Sequence, residues 1–186
     1  DHDKRQLLFP EGCPAPCFMG IRPGITGVEE AIHILKSSGW TANIQIQPTS
    51  RWVIVQWNQR APAWLLPHDS SNNLALATRG SQVEEIHLPT SLDLSEVELL
   101  MGRSDSNEVT IFRGMGEGQF IPVLDYTAAY RRYSMLVALT QNCNGTAHVS
   151  HNSPDVVVRY YADMSVLDDR LKQFHDSWRV VRRMKC

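Results

Sequence analysis

Hydrophobic and polar positions along this chain switch between two periods, and each switch marks an element. In "GITGVEEAIHILKSSGW" (24–40), Val28, Ala31, Ile32 and Leu35 fall on one stripe at helical spacing. Thr26 followed by Glu29 reads as a capping box, and Gly39 as the stop. Alternation then takes over. "TANIQIQ" (41–47) and "RWVIVQWN" (51–58), split by Pro48-Thr49-Ser50, predict a hairpin. "LALAT" (74–78) and "QVEEIHL" (82–88) predict another, turning at Arg79-Gly80-Ser81. The pattern restarts with "LDLSEVELLMGRSD" (92–105), a short helix capped by Asp93 and Glu96, apolar at Leu94, Val97, Leu100 and Met101, and ended by Gly102. Strand-like runs follow at 108–112, 119–127, 133–140 and 155–161, with "RGMGEG" (113–118) and "GTAHVSHNSP" (145–154) as turns. A last helix is expected from Ser165, with Asp168 completing its cap and Leu167, Leu171, Phe174 and Trp178 as its stripe.

The expected class is α+β: two similar helix-plus-four-stranded antiparallel units sharing a sheet, with a C-terminal helix. Residues 1–25 form an extended Cys/Pro-rich amino-terminal segment, 26–90 the first unit and 91–162 the second. Residues 163–186 form the final helix and a basic tail. Short turns imply antiparallel pairing, and helices so spaced cover one face of the sheet. The opposite face is then solvated or a binding surface.

Composition narrows the functional classes. Of 186 residues, 42% are hydrophobic and 20% charged, which supports a packed core. A formal charge of -2 supplies no polycation for nucleic acid. No run approaches the roughly 18 apolar residues of a membrane helix. The chain opens on Asp1 rather than Met, as a processed mature chain does and as any trimmed chain would. Membrane association is therefore expected only through a removed or modified amino terminus or through a partner.

The cysteines are Cys13, Cys17, Cys143 and Cys186, an even set that permits two disulfides in three connectivities. Closing a long loop would contribute about 3–5 kcal/mol in the chain-entropy model. "CPAPC" has C-x3-C spacing without the second ligand pair of a zinc site, the following His of a haem anchor, or the C-x-x-C of a redox helix. Pro14 and Pro16 hold it extended. The pair reads as a staple, with free thiols or metal and redox work as the alternatives. Asn144-Gly145-Thr146 is a glycosylation sequon where the source modifies secreted chains.

"CPAPCFMGIRPGITGVEEAIHIL" resembles the amino-terminal signature of uncharacterised exported proteins, secreted or lipid-anchored, of Chloroflexota-type bacteria. That resemblance implies export and no activity. "LSEVELLMGRSD" with its following strands is similar to the helix-plus-sheet modules of small outer-membrane assembly lipoproteins. In tandem the units are similar to β-lactamase inhibitor protein, where a curved sheet grips a partner. Arg103-Ser104 replaces the usual Gly-x-Pro helix end, and the cysteine placement differs. The resemblance implies a binding scaffold and transfers no individual site.

Candidate chemistry is sparse. His148 and His151, near Asp155 and Cys143, have metal-ligand spacing but a loop setting. His68-Asp69-Ser70 are adjacent in one loop, which does not give a triad its separately held base and nucleophile. "RGMGEG" lacks the Lys-Ser/Thr of a phosphate loop and reads as a flexible hairpin loop. Glu84 and Glu85 face opposite sides of a strand, and Asp168-Asp169 suit a helix start. The tail cations Arg179, Arg182, Arg183 and Lys185 suit a helix end. Aromatics are more suggestive: Trp52 and Trp57 point to opposite faces, so one of them can lie outside the core.

These observations favour a non-enzymatic protein, secreted or on the cell surface or periplasmic side of an envelope, that binds another protein or its own copies. Trp57, Trp64, Tyr130 and Tyr133 are its expected contacts, with no catalytic residue, metal or cofactor expected. One alternative is a ligand- or metal-binding protein or hydrolase built around His68, His148 and His151. Another is a self-assembling structural surface protein whose strand edges pair between copies.

Overall fold

The alternation over 41–47 and 52–57 folds as read, and the same rule extends through the molecule. The computed structural model describes residues 2–47, 49–66, 73–116, 119–142, 156–162 and 165. Its elements are α1 (His2–Leu8), α2 (Val28–Ser37), β1 (Thr41–Gln47), β2 (Trp52–Trp57), β3 (Leu74–Arg79), β4 (Gln82–Pro89), α3 (Leu94–Met101), β5 (Ser106–Gly116), β6 (Gln119–Tyr130), β7 (Met135–Asn142) and β8 (Val157–Tyr161). The expected loop at 68–73, the turn at 145–154 and the final helix and tail, but for Ser165, lie outside the described residues.

The eight strands form one sheet in the order β1-β2-β3-β4-β8-β7-β6-β5, with every neighbouring pair antiparallel. Each half is a four-stranded meander preceded by a helix, and the two meanders meet through their last strands, β4 against β8. This is the α+β arrangement expected of two units sharing a sheet. An approximate two-fold axis normal to the sheet relates the halves.

Register assigns the faces. Val53 and Val55 lie beside Leu76 and Leu74, and through Ile86, Leu88, Tyr160 and Val158 the same face continues to Met135 and Val137. These residues form a single buried cluster with Ala31 and Leu35 of α2 and Leu94, Val97 and Met101 of α3. Both helices therefore cover the same side, and burial of each such side chain contributes about 1.5–3 kcal/mol.

The amino-terminal segment, expected to be extended, opens as helix α1 and then closes the core between the two helical units. Leu8, Phe18 and Ile21 are each essentially inaccessible and belong to the same cluster. The Phe18 ring lies 6.0 Å from that of Tyr160 on β8, and Lys4 Nζ donates to Glu96 Oε1 at 2.6 Å on α3. Cys13 and Cys17 are disulfide-bonded across the intervening loop.

Two local expectations change. Thr26 does not cap α2: Gly27 occupies the N-cap without a side-chain bond, while Thr26, buried, accepts from the Arg22 amide through Oγ1 at 2.8 Å. The Val28 amide instead donates to the Ser81 carbonyl at 2.8 Å, so the β3–β4 turn satisfies an end that sequence assigned to a side chain. Asp93, in contrast, caps α3 with the full reciprocal box. Gly114 and Gly116 of "RGMGEG" also do not fall in a loop; Glu117 and Gly118 lie outside the described residues. Arg113 to Gly116 continue β5, paired with Pro122 to Gln119 of β6. The hairpin partner keeps pairing wherever backbone can, and glycine alone does not end a strand.

Candidate functional site

The face away from the helices carries the alternate residues of each strand. On β2 these are Trp52, Ile54 and Gln56, all half-buried, while Ala75 and Ala77 of β3 form low ground beside them. Because those two side chains are single methyl groups, the Trp52 indole reaches across β3 to His87 on β4. The rings meet edge-on at 4.9 Å and 74°. His87 Nε2 lies 2.8 Å from Glu85 Oε2, two residues along the same strand and hence on the same face. A protonated Nε2 donates to that carboxylate, which fixes the imidazole against the indole.

Arg159 of β8 stands directly opposite His87 in register. It is half-buried, its Nε is enclosed without an acceptor, and among the described residues its side chain makes no hydrogen bond or ion pair. Further along this face, Thr140 Oγ1 donates to Asp125 Oδ1 at 2.8 Å. Burial raises the Asp125 carboxyl above its ordinary value, while the Thr140 bond and the Arg159 charge pull it down. A polar row thus crosses the middle of the sheet from Trp52 through His87 and Glu85 to Arg159.

The described side-chain contacts of His87 are the Glu85 carboxylate and the Trp52 indole edge. Among the described residues no group of three or more His, Cys, Asp or Glu is placed to hold a metal. A cleft of about 910 Å³ adjoins the Trp52 end of the row, between the first turn of α2 and the β1–β2 and β3–β4 turns, lined by residues that include Trp52, Glu30, Ile46, Arg51 and Arg79 but no histidine. No described helix is long and apolar enough to cross a membrane.

The contacts expected from sequence sit differently. Tyr130 is 2% exposed and Trp64 8%, both within the core cluster. Burial, ahead of the nearby Tyr126 and Glu98, pushes the Tyr130 phenol upward, so it stays neutral. Trp57 is half-buried on the helix side and packs against the core. Tyr133 is half-buried under the amino-terminal segment, its ring 4.3 Å from Phe9 and 5.5 Å from the Arg132 guanidinium carbon. None of the four lies on the open face. His68, Cys143, Asn144, His148, His151 and Cys186 lie outside the described residues.

The contact set expected from sequence took Trp57 rather than Trp52 of the two opposed tryptophans, and left out His87 and Arg159, although a signal for Trp52 was present. Trp57 shares its strand parity with Val53 and Val55, the more apolar set, whereas Trp52 shares it with Ile54 and Gln56. His87 and Arg159 carry no comparable mark. Their meeting depends on the β4–β8 register, a contact between the two units.

The fold class is thus an antiparallel α+β sheet with helices on one side and a polar-aromatic row on the other. In comparison with known proteins, no family model, no curated protein and no solved structure matches the chain.

Proposed function

We propose that this protein is a non-enzymatic binding module that works outside the cytoplasm and recognises another protein through the open face of β1–β4. The observation that carries the reading is Arg159 of β8: a half-buried side chain at the border of that face, opposite His87, with no side-chain hydrogen-bond or ion-pair partner among the described residues. Buried arginines are ordinarily paired, because an enclosed unpaired donor costs about 1–3 kcal/mol. Beside it, Trp52 and His87 offer an aromatic surface locked by Glu85. Together they suit a partner that presents a carboxylate or carbonyl next to an apolar side chain. The Cys13–Cys17 disulfide supports an oxidising compartment. The resemblance of the sequence pattern to tandem helix-plus-sheet modules that grip a partner is in keeping with the same reading. The expected contact set shifts accordingly from Trp57, Trp64, Tyr130 and Tyr133 to Trp52, Glu85, His87 and Arg159.

The test is affinity capture from envelope and secreted fractions under non-reducing conditions, using three baits. These are the wild-type chain, the open-face variant Trp52→Ala with Arg159→Met, and Leu99→Glu on α3. Leu99 is 86% exposed on the helix side and represents the rival face. A stoichiometric partner held by the wild type and Leu99→Glu but lost by the open-face variant supports the reading. Retention by the open-face variant, or loss with Leu99→Glu alone, overturns it.

A further inference from the structure

We infer that β1 is a self-complementary edge through which two copies of this chain pair into one continuous sheet, independently of the open-face reading. β1 ends the strand order and, among the described residues, has a strand neighbour on one side only. Natural edge strands are guarded by charge, proline or a bulge along their length. β1, "TANIQIQ", contains no charged residue and no proline, and its single irregularity falls between Thr41 and Asn43, leaving Asn43–Gln47 regular. The opposite edge, β5, does carry charge, at Glu108 and Arg113. Ile46 is 60% exposed on the helix side of this unguarded edge, one of few large apolar side chains left in solvent among the described residues.

Residues Asn43–Gln47 of β1 match themselves in reverse by residue type, amide for amide and Ile for Ile. A two-fold axis through Gln45 sets Gln45 against Gln45 of the second copy, Asn43 against Gln47, and Ile44 against Ile46. The register against β2 places Asn43, Gln45 and Gln47 on the open face and Ile44 and Ile46 on the helix face. Antiparallel pairing about this axis therefore aligns amide with amide on one side, where side chains exchange hydrogen bonds. On the other side it covers each exposed Ile46 with the Ile44 of the second copy. Such an interface is isologous and closes at two chains, whereas β1 against β5 would propagate without limit. A second copy is thus the occupant whose chemistry the strand itself specifies.

Sedimentation equilibrium on the intact, oxidised chain reads the outcome, with circular dichroism confirming the fold of each variant. The wild type is expected to dimerise reversibly, half associated at roughly micromolar to tens of micromolar concentration, as small interfaces do. Gln45 is exposed, so Gln45→Lys leaves the core untouched while placing like charges opposite each other on the axis. Dimerisation should weaken about tenfold or more. Gln45→Glu should weaken it similarly, and an equal mixture of the two variants should restore a dimer through an opposite-charge pair. A wild type that stays monomeric to about 200 µM, far above that range, overturns the inference. So do growth past the dimer, either variant alone retaining full association, and a mixture that fails to re-form it.

Discussion

Replacing Arg159 with methionine separates a structural arginine from one held for a partner. Methionine keeps the length and apolar packing of the side chain and removes its charge and donors. Two effects compete in the folded state. Removing Nε relieves an enclosed donor without an acceptor, worth about 1–3 kcal/mol. Against that, Asp125 loses a favourable charge and keeps its hydrogen bond from Thr140. The groups are not in ion-pair contact, so the two effects nearly cancel. Stability at pH 7 should stay within about 1 kcal/mol of the wild type, whereas removing one member of a buried ion pair costs about 3–5 kcal/mol. The pH dependence carries a signature as well. An acid whose folded pKa is raised contributes stability that is full below its unfolded value of 3.8 and lost as pH rises through the folded value. Losing Arg159 raises Asp125 further, so the variant should compare best with the wild type near pH 4 and lose ground as pH increases. Urea denaturation at several pH values measures both effects. A loss above about 3 kcal/mol at pH 7 would place Arg159 in the scaffold and remove the ground for the open-face reading.

Two further outcomes test the scaffold. Asp93→Ala should cost about 1 kcal/mol in urea denaturation at pH 7 by removing the cap of α3. The Ser95 hydrogen bond, chiefly, lowers the Asp93 pKa below 3.8, so this difference should hold above that pH and shrink as pH falls through the folded value. Cys13→Ser with Cys17→Ser opens a loop whose ends are 4 residues apart, for which chain entropy gives about 2 kcal/mol. Phe18→Ala should cost more, about 3–5 kcal/mol, because Phe18 is fully buried against Tyr160. Thermal denaturation of both variants ranks the two, and a reversed ranking would mean that the staple, not the packing, holds the amino-terminal segment.

Strands were legible because a half-covered sheet leaves a period of two in the sequence, and "TANIQIQ" became β1 without a change of boundary. The α3 cap was legible because Asp93 and Glu96 serve each other locally. The α2 cap was not, because its Val28 amide finds a carbonyl on Ser81, far along the chain. Helix α1 gave little sign either, since His2–Leu8 is short and its stability comes from docking Leu8 into the core. The candidate site fell in this second category. Its residues were visible one at a time, but the row exists only through strand register and through the two alanines that let Trp52 pass over β3.

Approximate symmetry also locates where a partner should land. β4 and β8 exchange under the two-fold axis, and His87 and Arg159 oppose each other across their junction, so the scaffold is doubled while the site is single. The two halves of the open face differ in accessibility. On the second unit, Tyr161 is 1% exposed and Leu136 2%, whereas Trp52, Ile54 and Gln56 on the first stay half-buried. Side chains already closed off have little surface left to give up on association, and those half open have most to gain. The contact should therefore centre on the first unit, with Arg159 at its border. Pairing through β1 would set two such surfaces side by side in one sheet, giving a bivalent module from a site that each chain carries once.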